Sequence, residues 1–345
     1  MSSDSPTVAV DAMGGDRAPE ALVAGSLVAL RQEPDLRLIL VGEPDRLTPL
    51  VGPGGDMHGR VRLEPAAGVI PMDAHPAQAV RSQPRASVSV AVRLVGAGEA
   101  DACFSAGNSG ATVAASLLHL RRLPGVSRPA IGTVLPAPAG PTLLVDAGAQ
   151  VDCRPEWLAQ FARLGSEYCR LVLGVESPRV GLLSNGAESS KGNALVQAAH
   201  ELISGLGLRY LGPVEGSDLV NGKVDVVVSD GFAGNVALKT AEGVAEAMLT
   251  ALRQEAAADL RSRLGAMLLL PRLRRLGERL DWRQVGGAPL LGVGGLVFIG
   301  HGRSDARAIT SAIRLAAAAV RSGVAGALQL ALEQPEREPA RVPGS

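Results

Sequence analysis

The sequence predicts an α/β fold in three layers (α/β/α), with a mostly parallel β-sheet covered by helices on both faces. Apolar runs of strand length alternate with segments of helical periodicity, and this alternation is typical of βαβ units. In addition, 46% of the 345 residues are hydrophobic but only 2% are aromatic. The core therefore has to be built from Val, Leu, Ala and Ile, which are the usual filling of parallel sheets.

Seven segments have the character of strands, and helical segments lie between them. The strands are predicted at Thr7–Asp11, Leu36–Val41, Asp101–Ser105, Thr142–Asp146, Arg179–Leu183, Val224–Ser229 and Leu296–Ile299. The helices are predicted at Pro19–Arg31, Ser87–Gly96, Ser109–Leu120, Pro155–Leu173, Lys191–Ser204, Ala233–Arg253 and Ser304–Arg321. Pro19 and Pro155 suit a first helical turn, where the missing N–H breaks no hydrogen bond.

One basic segment interrupts the alternation. Residues 253–283 contain eight arginines against four acidic residues, with Leu and Met at helical spacing. Pro271 is expected to divide this segment into two helices, so the prediction is an inserted helical hairpin. Such a hairpin can bind an anionic lipid surface or an acidic partner, or it can pack on its own subunit or on a second one.

The chain is expected to form a single large domain over residues 1–330. The remaining residues, 331–345, are rich in proline and charge and are predicted to be disordered. With 34 basic and 34 acidic residues, the protein has no net field that would recruit nucleic acid. Because the N-terminus does not resemble a signal peptide and no stretch reaches the ~20 apolar residues of a membrane span, a cytoplasmic protein is expected.

Lysine is scarce in this chain. Only Lys191, Lys223 and Lys239 are lysines among the 34 basic residues, and there are only five asparagines. A sequence that uses arginine almost everywhere indicates that its few lysines occupy positions requiring a compact ammonium group. We expect a function for Lys191 and Lys239, whereas chance explains Lys223 in its turn-like NGK segment.

Candidate site residues lie in strand-to-helix turns, where ligands gather in α/β sheets. In the first turn, Asp11 ends a strand, and Gly14 and Gly15 allow a sharp turn and a close approach of the backbone to a ligand. Asp16 is a candidate cap of the next helix, whose free N–H groups favour an anion. A purely structural turn explains the same four residues nearly as well.

The second and third turns carry amide and ammonium groups. Asn108 and Ser109 lie in a small-residue loop that enters a helix, which suits an oxyanion or phosphate cradle, or a simple helix cap. Lys191 and Asn193 open the next predicted helix. A lysine at a helix N-terminus conflicts with the helix dipole unless an anion also binds there. The alternative is an exposed, solvated lysine.

The fourth and fifth turns complete the set. Asp230 follows a buried strand, and Asn235 and Lys239 lie four residues apart on one helical face, so both can approach one ligand. His301 and Ser304 follow the last strand. His301 can serve as an acid, as a base or as a hydrogen-bonded strand-end residue.

The motifs for covalent catalysis and metal binding are missing from the sequence. It contains no HExxH, P-loop or GxSxG motif. We therefore expect neither a metal nor a cofactor, and predict a site that positions an anion and stabilises developing negative charge.

At these residues the sequence resembles the phosphate acyltransferases of phospholipid synthesis (acyl-acyl carrier protein:phosphate transacylases). The similar stretches include VAVDAMGGDRAPEA, SAGNSGA, LLSNGAESSKGNAL, VVVSDGFAGNVALKT and GGAPLLGVGGLVFIGHGRSDARAI. The resemblance implies a Rossmann-like fold related to isopropylmalate dehydrogenase and phosphotransacetylase. It also implies transfer of a fatty acyl group from acyl carrier protein to inorganic phosphate by a homodimer that associates peripherally with the membrane. A membrane glycerol-3-phosphate acyltransferase is a further expected partner.

For this activity, Lys191 is expected to bind phosphate, and Asn235, with nearby backbone N–H groups, is expected to receive the thioester oxyanion. The supporting anion ligands are expected to be Asn108, Asn193 and Lys239. The residues expected to order the glycine turns are Asp11, Asp16 and Asp230. Two alternatives remain at this stage, a decarboxylating NAD-dependent 2-hydroxy-acid dehydrogenase of related fold and a non-catalytic scaffold on a lipid surface.

Overall fold

A computed structural model describes residues 5–52, 59–137, 140–279 and 286–333, and the eleven strands in these ranges form one sheet. The strands are β1 Thr7–Asp11, β2 Arg37–Gly42, β3 Val61–Pro65, β4 Ala102–Ser105, β5 Ala130–Leu135, β6 Thr142–Val145, β7 Val180–Leu183, β8 Tyr210–Val214, β9 Val226–Val228, β10 Ala288–Leu291 and β11 Leu296–Ile299. The helices are α1 Glu20–Gln32, α2 Pro44–Val51, α3 Pro76–Ser82, α4 Ser87–Gly96, α5 Ser109–His119, α6 Pro155–Val172, α7 Ala194–Ser204, α8 Gly231–Ala257, α9 Leu260–Arg279, α10 Ala306–Arg321 and α11 Val324–Glu333.

The sheet is mixed but mostly parallel, as predicted. Its strand order is β3-β2-β1-β4-β11-β10-β5-β6-β9-β7-β8. The antiparallel pairings are those of β10 with β11, β10 with β5, and β5 with β6. Because of these three reversals, β6, β9, β7 and β8 run opposite to β1, β4 and β11. The strand-end turns therefore fall into two groups, with the first, second and fifth at one edge and the third and fourth at the other.

All seven predicted strands are present, with ends shifted by two residues at most. The predictions missed β3, β5, β8 and β10. Two of these strands contain a proline, Pro213 in β8 and Pro289 in β10, and proline weakens a strand pattern because it cannot donate to a β-ladder. The edge strand β3 carries Arg62 and Glu64, and none of its five residues is fully buried.

Two helices share the segment predicted as a hairpin, but the break between them is not at Pro271. The α8 helix runs to Ala257, and α9 continues through position 271. Asp259 starts α9 instead, since its Oδ1 accepts a hydrogen bond from the N–H of Ser262 at 2.8 Å. The two helices are in contact, and residues 280–283 of the predicted hairpin lie outside the described residues.

The predicted C-terminal tail begins too early. Residues 331–333 belong to α11, and residues 334–345 lie outside the described ranges. Within the described residues, no single helix is both long and apolar enough to cross a membrane. The helices α10 and α11 satisfy the length and composition criteria only as a pair bent by 60°.

Apolar side chains cover both faces of the sheet. Along β1, Val8 and Val10 face one core and Ala9 faces the other, as the two-residue period of a strand requires. A bidentate ion pair ties the start of β7 to that of β9, where Arg179 Nε and Nη2 donate to the Asp225 carboxylate at 2.9 and 2.8 Å. Burial of the Asp225 carboxylate acts to raise its pKa. The hydrogen bonds from Arg179 outweigh this effect and hold the pKa of Asp225 below its ordinary value.

Candidate active site

The first, second and fifth turns lie in direct contact. The N–H of Asp16 donates to the carbonyl of Gly302 at 2.8 Å, which joins the β1–α1 turn to the β11–α10 turn. A Cβ added to Gly14 would lie 2.9 Å from the nitrogen of Gly107. The β1–α1 and β4–α5 turns therefore pack backbone against backbone, and only glycine at position 14 permits this approach.

Asp11 is buried within this cluster of turns, and its carboxylate accepts hydrogen bonds from two of its neighbours. Its Oδ2 accepts from Ser105 Oγ at 2.7 Å and its Oδ1 from the N–H of Met13 at 3.3 Å. Burial raises the pKa of Asp11. Asp16, in contrast, is exposed, and α1 begins after Pro19 without a side-chain cap. The prediction that Asp16 caps this helix is therefore wrong.

Both polar groups of the Asn108 side chain form hydrogen bonds with the protein backbone. Its Oδ1 accepts from the N–H of Ala111 at 3.0 Å and caps α5. Its Nδ2 donates to the carbonyls of Pro71 and Met72 at 3.0 and 3.1 Å. The neighbouring Ser109 is exposed in the first turn of α5. Of these two residues, only Ser109 presents its side chain to solvent.

In the third turn, the helix begins later than predicted. The α7 helix starts at Ala194, and Asn193 caps it by accepting from the N–H of Val196 at 2.9 Å. Lys191 lies in the loop before this cap. The expected conflict between Lys191 and a helix dipole is therefore absent, and the inference to a bound anion loses that support.

The three lysines differ in their partners. Lys223 donates to Asp218 Oδ2 at 3.1 Å, which accounts for its place in a turn. Lys239 donates to Glu242 Oε2 at 2.9 Å and lies 3.1 Å from His301 Nε2. Lys191 is exposed, and in the described part of the chain its ammonium forms neither an ion pair nor a hydrogen bond. Lys191 therefore has an ammonium available for an anion.

In the fourth turn, the start of α8 offers no free backbone donor. The N–H groups of residues 232 and 233 donate to Asp230 Oδ1 at 2.9 and 2.8 Å. The N–H of Gly234 donates to the carbonyl of Asp230 at 2.9 Å, and that of Gly231 to the carbonyl of Gln150 at 2.8 Å. These four N–H groups are already paired, so they are not among the nearby backbone donors that can assist Asn235.

Asn235 is exposed at this helix start. A Cβ added to Gly148 would lie 3.7 Å from both Cβ and Cγ of Asn235, so the asparagine rests against the loop after β6. Among the described residues, its carboxamide forms no side-chain hydrogen bond. Asn235 is therefore a carboxamide with free donors at the edge where β9 ends.

His301 connects the two groups of turns through Lys239. Burial lowers the pKa of His301, and the charge of Lys239 lowers it further. Since an ammonium can only donate, Nε2 of His301 is the acceptor in its contact with Lys239. The cap of α10 is Asp305, which accepts from the N–H of Ala308 at 3.0 Å. The Oγ of Ser304 is buried and has no hydrogen-bond partner in the described ranges.

Lys191 and Asn235 follow neighbouring strands. The parallel strands β7 and β9 pair Val180 with Val226 and Leu182 with Val228, so their carboxyl ends meet at one edge of the sheet. No hydrogen bond joins the two side chains. The topology brings their loops to adjacent strand ends, and their convergence on one ligand stays a prediction.

Sequence reasoning missed Asp146. This aspartate follows β6, is completely buried, and accepts hydrogen bonds from four backbone N–H groups. A signal was present in the sequence, because Asp146, like Asp11 and Asp230, lies at the end of an apolar strand segment and closely precedes a glycine.

Residues 7–327 match the family described as "Fatty acid synthesis protein". The chain belongs to this family. A relative named phosphate acyltransferase, from Desulfitobacterium hafniense, is 48% identical over 317 residues, which cover 92% of this chain and 94% of the relative. A second protein of that name, from Synechococcus elongatus, is 49% identical over 331 residues, which cover 95% of each chain. The resemblance seen in the sequence is confirmed.

Solved structures of low sequence identity share the fold of this chain. A phosphotransacetylase from Streptococcus pyogenes aligns with a TM-score of 0.61 at 18% identity, covering 91% of this chain and 94% of the other. A 4-hydroxythreonine-4-phosphate dehydrogenase from Klebsiella pneumoniae aligns with a TM-score of 0.54 at 14% identity, covering 93% and 100%. The predicted fold class is confirmed.

Proposed function

We propose that this member of the fatty acid synthesis protein family is a phosphate acyltransferase, which moves a fatty acyl group from acyl carrier protein to inorganic phosphate. The product is an acyl phosphate for phospholipid synthesis. The main support is the 48–49% identity to proteins named phosphate acyltransferase, over more than nine-tenths of each chain. The likeness to a dehydrogenase, at 14% identity, supports a common fold alone and does not favour a dehydrogenase reaction.

The proposed reaction needs no covalent enzyme intermediate. Hydrogen phosphate is already an oxygen nucleophile near neutral pH, and it attacks the carbonyl carbon of the acyl thioester. The C–O bond forms, the tetrahedral intermediate collapses, and the C–S bond breaks. The thiolate of the carrier leaves and receives the proton that the phosphate loses. The products are acyl phosphate and the free thiol of the carrier.

In this proposal, two side chains stabilise the negative charges of the reaction. The unpaired ammonium of Lys191 binds the phosphate and offsets part of its charge. The free amide of Asn235 donates to the oxyanion that develops on the thioester carbonyl. Because the first four N–H groups of α8 are already paired, the side chain of Asn235 provides the donor at this helix start.

Exposed apolar residues on α8 and α9 support a homodimer at the membrane surface. Val244, Met248 and Leu252 recur every four residues along α8 and are 53%, 62% and 57% exposed. Met267 and Leu268 of α9 are 69% and 84% exposed. In this proposal, the α8 face packs on a second copy of the chain, and α9 with its arginines rests on anionic lipid.

The proposed location is cytoplasmic and peripheral to the membrane, where a membrane glycerol-3-phosphate acyltransferase can consume the acyl phosphate. The acidic carrier protein docks on exposed arginines, either Arg253, Arg261, Arg263 and Arg272 of α8 and α9 or Arg121 and Arg122. This contact should weaken as salt rises, because exposed charges are screened within about 10 Å at 0.1 M salt. Binding of the carrier that does not depend on salt would contradict this arrangement.

The experiment that tests the function uses purified protein, acyl-loaded carrier and ³²P-labelled inorganic phosphate. We expect labelled acyl phosphate and free carrier thiol in equal amounts, and neither product when phosphate is omitted. Release of free fatty acid without labelled acyl phosphate would contradict the proposal. Formation of NADH from a 2-hydroxy acid would favour the dehydrogenase, and binding to anionic vesicles without any acyl transfer would favour a scaffold.

A further inference from the structure

We infer that Asp146 is a positioning residue for acyl transfer, which sets the place of the Asn235 carboxamide. This inference rests on the proposed function. Asp146 is completely buried and so does not reach a substrate. Its influence on the reaction is exerted through the loop of residues 147–150 and through the first turn of α8.

The carboxylate of Asp146 organises this loop. Its Oδ1 accepts from the N–H groups of Ile131, Gly148 and Ala149 at 2.9, 3.1 and 2.9 Å. Its Oδ2 accepts from the N–H of Gln150 at 2.6 Å. Three of these four donors belong to consecutive residues, so a single side chain fixes the conformation of the whole loop.

The first turn of α8 sits directly on the same aspartate. A Cβ added to Gly234 would lie 2.0 Å from the Asp146 carbonyl oxygen, and one added to Gly231 would lie 2.8 Å from Asp146 Oδ2. The N–H of Gly231 donates to the carbonyl of Gln150 at 2.8 Å. The start of α8 and the loop therefore pack closely against each other around Asp146.

Asn235 lies where these two elements meet. It is the residue after Gly234 in α8, and its Cβ and Cγ lie 3.7 Å from the Cβ position of Gly148. Gly148 has a φ of +142°, a conformation that favours glycine. Movement of the loop therefore moves the surface on which the Asn235 carboxamide rests.

An asparagine cannot replace the carboxylate at this position. All four contacts of Asp146 are with N–H donors, whereas a carboxamide has one acceptor oxygen and one NH₂ group. In Asp146→Asn, the NH₂ group would face one backbone N–H if it replaced Oδ2 and three if it replaced Oδ1. The loop then has to shift, although the size of the side chain is unchanged.

The test is a double-variant cycle with Asp146→Asn and Asn235→Ala, measured by acyl phosphate formation. We expect Asp146→Asn to lower kcat about 10- to 100-fold, since a misplacement of about 1 Å can cost 10²-fold, and to change the KM for phosphate by less than about 3-fold. The decisive result is non-additivity. Because Asp146 acts through Asn235, the double variant should be no slower than Asn235→Ala alone.

Asp225→Asn is the matched control, because this aspartate also lies in the β6–β9–β7 part of the sheet but pairs with Arg179. It should lower stability, and its effect on kcat should be additive with that of Asn235→Ala. Gly148→Ala provides a second route if Asp146→Asn fails to fold, since Gly148 is exposed. It should also lower kcat non-additively with Asn235→Ala.

The outcomes separate this inference from the proposed function. A wild-type protein that forms no acyl phosphate would refute the function itself. If the wild type is active, additive losses in the Asp146→Asn cycle, or in the Gly148→Ala cycle when the first variant does not fold, would overturn the positioning role. A folded Asp146→Asn variant with wild-type kcat would overturn it as well.

Discussion

Replacing Asn235 by alanine should lower kcat about 10²- to 10³-fold, the usual effect of losing one oxyanion donor. This corresponds to about 2.7–4 kcal/mol of transition-state stabilisation. The structure indicates that the loss of kcat should not be reduced by a substitute donor. The N–H groups of residues 231–234 are all paired within the protein, so no backbone donor of that turn is available to replace the missing carboxamide.

The assay is the initial rate of acyl phosphate formation at saturating acyl donor and phosphate. Asn235→Asp should be at least as slow as Asn235→Ala, because a carboxylate cannot donate and repels the developing oxyanion. Asn221→Ala is the matched control, since Asn221 binds Asp218 Oδ1 at 2.7 Å in a turn before β9. A rate for Asn235→Ala within about threefold of both the wild type and the control would refute the reasoning.

Three further predictions concern charged groups. Lys191→Ala should lower kcat/KM for phosphate about 10- to 100-fold, because a hydrogen bond to a charged group is lost. The control Lys223→Ala should leave kcat/KM unchanged. Equal kinetics in the two variants would contradict the phosphate-binding role of Lys191. Lys239→Met should raise the pKa of His301, measured by NMR titration of the imidazole, because a nearby positive charge is removed; an unchanged pKa would argue against the contact. Since the folded pKa of His301 is lowered, its contribution to stability is present above its ordinary pKa of about 6.5 and is lost as pH falls. Asp225→Asn should lower the free energy of unfolding by about 1–3 kcal/mol, measured by urea denaturation at pH 7. Because the folded pKa of Asp225 is lowered, the difference from the wild type should shrink below about pH 4. A difference that stays constant with pH would contradict the ion pair.

The sequence predicted the elements of the fold better than their directions. Alternation of strand and helix patterns located seven strands closely, because buried parallel strands are continuous apolar runs. Hydrophobic period carries no information about strand direction, so the reversal through β5 and β10 was not predictable from it. The position of a helix break was likewise not predicted correctly. The new helix begins at the side-chain cap formed by Asp259 and not at Pro271.

For the candidate site, the sequence indicated the correct turns but not which polar groups are free. Asn108, Asn193 and Asn235 look alike as asparagines in strand-to-helix turns. In the structure, the first two cap helices with their own side chains, and Asn235 caps none. This difference depends on where each helix begins, and a shift of three residues at α7 was enough to change the interpretation of Lys191.

Asp146 was missed for a related reason. Its importance comes from four backbone donors that converge on it, one of them from β5. The contacts of Ile131 with Asp146 and of Gly231 with Gln150 join segments far apart in sequence. No local pattern encodes such contacts.

The most direct measurement is a crystal structure of the protein with bound inorganic phosphate. The account predicts phosphate oxygens within about 3 Å of the Lys191 ammonium, with the Asn235 carboxamide facing the same pocket. Phosphate bound elsewhere in the molecule, with Lys191 and Asn235 facing separate regions of solvent, would contradict the account.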